Sequence, residues 1–206
     1  MAKVAHIIGN GDMASMYKPS PGIKLTCNLP PFEVKDVFAT CIVDFKMCRA
    51  INEGSVNLDA FQWVCGWRPQ KYCTEVNTGF YMKHAHRIRT FYTVLPKYAQ
   101  NYTNFNCGHF ATHYAANQLA VDEVHMYGFD SLFDSNMRSY TDMVLNSDRG
   151  DVNNFRLMEN WRPIWTQLFN EFKNTKFVLY HKHDNLKIKI IGDNVSVDTS
   201  RIKKSA

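Results

Sequence analysis

The sequence predicts an α/β protein: a single domain over residues 1–200, built on a mostly parallel central sheet flanked by helices, followed by a basic tail at 201–206. Three observations predict it. Short apolar runs recur along the chain and end in glycine, asparagine or aspartate, as buried parallel strands do where they open into loops. Residues 103–134 set an apolar helix before a short strand, Val124-His125-Met126-Tyr127, which opens into Gly128-Phe129-Asp130. A helix followed by a strand whose C-terminal end carries a Gly/Asp loop is how nucleotide-binding α/β proteins build sites. Finally, 206 residues with 45% hydrophobic and 14% aromatic content suffice for one large core and argue against disorder.

The elements follow in order. Val4-Ala5-His6-Ile7-Ile8 is a strand running into Gly9-Asn10-Gly11-Asp12, where glycines let backbone approach a ligand closely. The spacing is not the full G-x-G-x-x-G fingerprint, so it does not specify a dinucleotide. A second strand, 22–28, ends in Asn28 and is stopped by Pro30-Pro31; a third, 38–43, ends in Asp44. Asn10, Asn28 and Asp44 are thereby expected along one sheet edge. Residues 46–51 read as helix and 60–65 as strand. Residues 81–94 read as a helix whose Lys83–Arg87 and His86–Arg89 spacings make one face basic.

Downstream of the 103–134 stretch, residues 139–151 are polar, lack an apolar period and read as a mobile lid. Asn153 opens a helix to Phe172 with Trp161, Trp165 and Phe169 on its core side and Pro163 suggesting a kink or late start. Residues 176–180 form a strand ending in His181-Lys182-His183-Asp184, and 186–197 a small strand or hairpin.

Charge and cysteines bound the function. A formal charge of +5 permits a phosphate-bearing partner without requiring one. No apolar run approaches the roughly 20 residues of a membrane span, and no signal peptide is recognisable, so a cytoplasmic protein without a membrane partner is expected. Six cysteines lie mostly inside apolar segments without a C-x-x-C pair, which suits buried reduced thiols better than disulfides. Walker and G-x-S-x-G motifs are absent. His181 with His183, and His109 with His113, are histidine pairs without Cys or carboxylate ligands at a familiar spacing, so no metal centre is expected. Asp130, Asp134, Asp142 and Asp148 follow the central strand and could supply a general base or hold a divalent cation such as magnesium.

The motifs Ile7-Ile8-Gly9-Asn10-Gly11, Cys27-Asn28, Cys107-Gly108 before an Ala-rich helix, and Met126-Tyr127-Gly128-Phe129-Asp130 occur in one order. That order resembles the bacterial sialyltransferases of glycosyltransferase family 42 and their DUF115-like Rossmann relatives, over about Val4 to Asp134. The resemblance implies a Rossmann-like, GT-A-like variant domain binding a pyrimidine nucleotide-sugar (CMP- or UDP-linked), with no obligatory metal. It implies that Gly9, Asn10 and Gly11 approach the nucleotide phosphate and ribose. Asn28 and Asp44 then lie near ribose and sugar, Cys107 and Gly108 flank the base, and Gly128 with Asp130 closes the pocket. Asp44 stands where the family often has Asn, and Cys107 where it has Ser. The family's catalytic histidine has no counterpart in the 139–150 loop, which leaves Asp142 or Asp148 as candidate base and Arg149 as a lid cation for the departing phosphate.

The expected activity is transfer of a sugar from a nucleotide donor to an acceptor hydroxyl. A small, mildly basic chain fits a nucleic-acid acceptor, such as a hydroxymethylated base in viral DNA, better than a lipid-linked glycan. Two rival readings are an ATP- and magnesium-dependent pyrophosphokinase of the DUF115-like type and a non-catalytic nucleotide-binding protein. The oligomeric state is not legible.

Overall fold

The computed structural model describes residues 1–101, 104–134, 139–145 and 154–201. Eight strands form one sheet: β1 (Val4–Ile8), β2 (Ile23–Cys27), β3 (Val37–Ile42), β4 (Gln62–Cys65), β5 (Ile88–Phe91), β6 (Glu123–Tyr127), β7 (Lys176–Tyr180) and β8 (Val195–Asp198). Their order is β5-β4-β3-β2-β1-β6-β7-β8, and every neighbouring pair is parallel. The chain steps outward from β1 to β5, then returns to lay β6 against the other side of β1. This Rossmann-like α/β arrangement puts a topological switch point between β1 and β6, where such sheets open a crevice beyond their strand ends.

Helices cover both faces, which explains why Ile7 and Ile8, pointing in opposite directions, are both fully buried. On one face lie α1 (Phe45–Glu53), α2 (Trp67–Lys71) and α3 (Thr78–His84), packed on Ile42, Trp63 and Cys65. The other face carries α4 (Cys107–His113), continued by a π-turn, and the long α6 (Asn154–Glu171). Their Phe110, Ala111, Trp165 and Leu168 join Ile7, Leu25, Val124 and Phe177 in the larger core. A short α5 (Tyr140–Val144) sits over the tips of β1 and β2. All six cysteines are buried and free. No helix among the described residues is long and apolar enough to cross a membrane.

Local expectations at three places are corrected or narrowed. Residues 81–94 are not one helix: α3 stops at His84, and Ile88–Phe91 is an edge strand. The exposed edge of β4 captures this β-branched and aromatic segment, pairing Trp63 with Ile88 and Val64 with Thr90. Arg87 therefore leaves the supposed basic face; it donates to the Leu58 carbonyl at 2.8 Å and lies 5.8 Å over the Trp63 ring. Of the two alternatives at 186–197 the small strand forms and the hairpin does not: Val195–Asp198 pairs parallel to β7, while Leu186, Ile188 and Ile190 lean on the core as loop residues. The start of the 139–151 lid is helical in α5, and α6 runs through Pro163.

Arg201, the one described residue of the basic tail, stacks 4.4 Å over Tyr180 and bonds the Met16 carbonyl; the remainder of the tail, with Asp148 and Arg149, lies outside the described residues.

Candidate functional site

The site grows from the ends of adjacent strands. Because β3, β2 and β1 are neighbours, the polar residues that terminate them stand side by side: Asp44 after β3, Asn28 after β2 and Asn10 after β1. Asn28 adopts a left-handed φ of 48°, which asparagine tolerates better than most residues. Its amide donates to Asp44 at 3.2 Å and accepts from the Val43 amide at 3.4 Å. Asp44 is also 3.5 Å from the Arg68 guanidinium at the start of α2. Lys46, in the first turn of α1, pairs with Asp142 of α5 while almost fully buried. Asp142, Lys46, Asp44, Arg68 and Asn28 thus form one charged group over β2–β4.

Asn10 fastens α5 to the sheet. Its amide donates to the Cys27 carbonyl at 2.5 Å, its side-chain oxygen accepts from the Thr141 amide at 2.9 Å and from the Thr141 hydroxyl, and its carbonyl accepts from the Tyr140 amide at 3.0 Å. The Thr141 hydroxyl in turn accepts from the Leu29 amide at 3.1 Å and shares its one proton between Asn10 and the Leu29 carbonyl. An Asn10→Ala variant therefore loses the clamp, and faster amide exchange across 139–145 is expected with unchanged exchange in β1; equal protection in both proteins would refute the clamp.

The glycine turns mesh with each other rather than framing open space. Gly9 donates to the Tyr127 carbonyl at 2.7 Å and Gly11 to the Gly128 carbonyl at 2.9 Å. A Cβ on Gly11 would lie 2.5 Å from the Asp130 carboxyl carbon. The position in which a Gly-rich turn is expected to receive a phosphate is therefore taken by the chain's own Asp130, which accepts from the Met13 amide at 3.3 Å. Burial pushes the Asp130 carboxyl up to about 6, against the pull of the Met13 bond.

Cys107 and Gly108 also serve packing. The Cys107 thiol is buried, donates to the Cys41 carbonyl at 2.9 Å, and is raised well above its usual range by burial. A Cβ on Gly108 would lie 2.7 Å from the Phe129 ring and 3.2 Å from Trp165, so glycine lets α4 approach both. The small residues expected to flank a base make core contacts here, with the Cys107 thiol close enough to Asp44 to feel its charge.

Of Asp130, Asp134, Asp142 and Asp148, the three among the described residues split into two groups. Asp142 joins Lys46, whereas Asp130 and Asp134 lie beyond β6, toward β7. There His181 and His183, following β7, both contact Asp134, at 3.1 and 2.9 Å. The carboxylate that both histidines contact is not the adjacent Asp184 but Asp134, which folding brings from 47 residues before His181. These three groups offer ligand atoms within 4.8 Å of one another, so the reason for expecting no metal centre there does not survive folding. The other pair, His109 and His113, is structural. His109 is buried between Phe105 and Trp165, and His113 meets the Tyr92 hydroxyl at 3.2 Å and Glu171 at 3.7 Å.

Lys46, Arg68 and Thr141 were not singled out from sequence. Lys46 directly follows the strand-end pair Asp44-Phe45, the only local signal that could have marked it. Comparison of the chain with protein-family models, curated proteins and solved structures gives no match.

Proposed function

We propose that the protein is a nucleotide-sugar-dependent glycosyltransferase that uses a pyrimidine nucleotide donor and an acceptor hydroxyl. The observation that carries this reading is the charged group at the strand ends, in which Asn28, Asp44, Lys46, Arg68 and Asp142 surround the C-terminal edge beside the β1–β6 switch point. Amide groups of the Asn28 kind supply donor and acceptor for a base or ribose, and a guanidinium such as Arg68 opposes the charge of a departing phosphate.

In the proposed reaction the acceptor oxygen attacks the anomeric carbon while Asp142 takes its proton. The bond from that carbon to the phosphate oxygen breaks, and the nucleotide leaves with the electron pair. Lys46 orients the Asp142 carboxylate, and the Arg68 guanidinium, now shared with Asp44, turns toward phosphate when the donor binds. Asp148 and Arg149 are further candidates from the sequence for base and lid cation.

Calorimetric titration with CMP, UDP and ATP tests the donor class. Micromolar binding of a pyrimidine nucleotide is expected, and no binding of any would sink the reading. Asp142→Asn should keep nucleotide affinity and lose about 100-fold or more of transfer rate. ATP preference with strict magnesium dependence would instead mark a pyrophosphokinase, and tight binding with no turnover a non-catalytic binder. Incubation with hydroxymethylated DNA and sugar nucleotides, followed by mass measurement of the digested nucleosides, tests the DNA acceptor; unchanged mass with every donor excludes it.

A further inference from the structure

We infer that Asp134, His181 and His183 form a binding site for a divalent transition-metal ion of the zinc class, independent of the glycosyltransferase reading. The ligand atoms are two imidazole nitrogens and one carboxylate. The Asp134 oxygens lie 3.1 Å from His181 Nε2 and 2.9 Å from His183 Nε2, and the set spans no more than 4.8 Å. Ligands around a tetrahedral zinc sit roughly 3.3 Å apart, so the contacts to Asp134 already have about the right length, and an ion draws the rest of the set inward from a span of up to 4.8 Å. Two nitrogens with one oxygen suit zinc, cobalt or iron(II), whereas magnesium prefers oxygen ligands throughout.

The surroundings hold these ligands in place. Phe133 stacks flat on His181, with ring centres 4.0 Å apart and planes 9° from parallel. Arg162 donates to the Ser131 and Asp134 carbonyls, fixing the main chain that carries the carboxylate. The His181 backbone amide reaches the Asp198 carbonyl at the end of β8.

A further observation is that His181 is 1% exposed and its Nδ1 has no hydrogen-bond partner among the described residues. That nitrogen faces Asp130, 3.9 Å away. With a proton on Nε2, as the contact to Asp134 needs, the neutral ring turns a lone pair toward a carboxylate. A metal on Nε2 moves the proton to Nδ1 and points it at Asp130, the carboxylate–histidine–metal arrangement in which an outer carboxylate orients a ligand. Asp130 is thus a positioning residue.

Two contacts oppose the ion. Lys182 Nζ is 3.7 Å from Asp134 and is more than half exposed, so it can swing away. The Asn185 amide donates to His183 Nδ1 at 3.2 Å, and that exposed bond breaks when His183 ligates through Nε2.

The test titrates zinc and cobalt(II) into the full chain stripped with chelator, following heat, the visible bands of tetrahedral cobalt, and melting temperature. One ion per chain, a rise in melting temperature and no displacement by excess magnesium are expected. His183→Ala, at a side chain one-third exposed and hence tolerant, and Asp134→Asn should each weaken binding by 100-fold or more. Asp130→Asn should weaken it 10- to 100-fold with the cobalt bands shifted but present. Lys182→Ala, which removes a more than half exposed cation from beside Asp134, should tighten it. Absence of saturable binding, or zinc affinity unchanged in both His183→Ala and Asp134→Asn, overturns the site.

Discussion

Gly9→Ala is expected to destabilise the protein by about 3 kcal/mol, because the new methyl group meets main chain that cannot yield. Its Cβ would lie 2.8 Å from the Gly128 carbonyl oxygen and 3.1 Å from that of Tyr127. Both carbonyls are fixed by the bonds from Gly11 and Gly9, so relief requires β1 and β6 to separate at the centre of the sheet. Gly54→Ala is the matched control. Gly54 caps α1 at φ 78° with nothing within 4 Å, so only the left-handed backbone is strained, at about 1 kcal/mol. Urea unfolding of both variants distinguishes steric collision from backbone preference; equal losses would show that the β1–β6 seam is looser than described.

The second large effect is at His109. Its Nδ1 accepts from the Asn106 amide at 2.9 Å, while the Asn106 side chain accepts from the His109 amide at 3.1 Å, a reciprocal cap on α4. With Nδ1 accepting, the proton sits on Nε2 and meets the Trp161 carbonyl at 3.3 Å, tying α4 to α6. Full burial holds the imidazole down to about 3, below its usual 6.5. The unfolded chain binds this proton below 6.5 and the folded chain does not, so His109 weakens the fold as pH falls from 6.5 toward 3. Between pH 7 and 4.5 its contribution to that loss is about 2–3 kcal/mol. His109→Leu should cost about 2–4 kcal/mol at pH 7, since two backbone groups lose partners. It should also lose correspondingly less on acidification than the wild type. Urea unfolding at both pH values checks this: an unchanged acid dependence in the variant would place the sensitivity in the other buried histidines.

What could be read from sequence depended on whether the deciding interactions were local. Ile7-Ile8, Leu25 and Ile42 announced buried parallel strands because a sheet covered on both faces leaves little alternation to misread. The neighbouring positions of Asn10, Asn28 and Asp44 followed from strand order. Ile88-Arg89-Thr90-Phe91 was hidden because its basic neighbours fit helical spacing and only the open edge of β4 selects a strand. The assembly of Asp134 with His181 and His183 needs β6 and β7 paired in register, Tyr127 beside Tyr180, which no spacing rule contains. Gly11 was legible as a close-approach residue, but not that the approaching group is Asp130.

The return of β6 to β1 also governs how the chain is made. Val4 pairs with Glu123, so β1 has only one neighbour in the sheet until synthesis has passed Glu123. At ribosomal speeds of about 5–20 residues per second, β1 waits several seconds with an unsatisfied edge beside apolar β2. Pairing so remote in sequence also predicts slow closure of the centre once all parts are present. A nascent chain arrested before β6 should therefore recruit chaperones or self-associate, whereas one released after β7 can seal its middle.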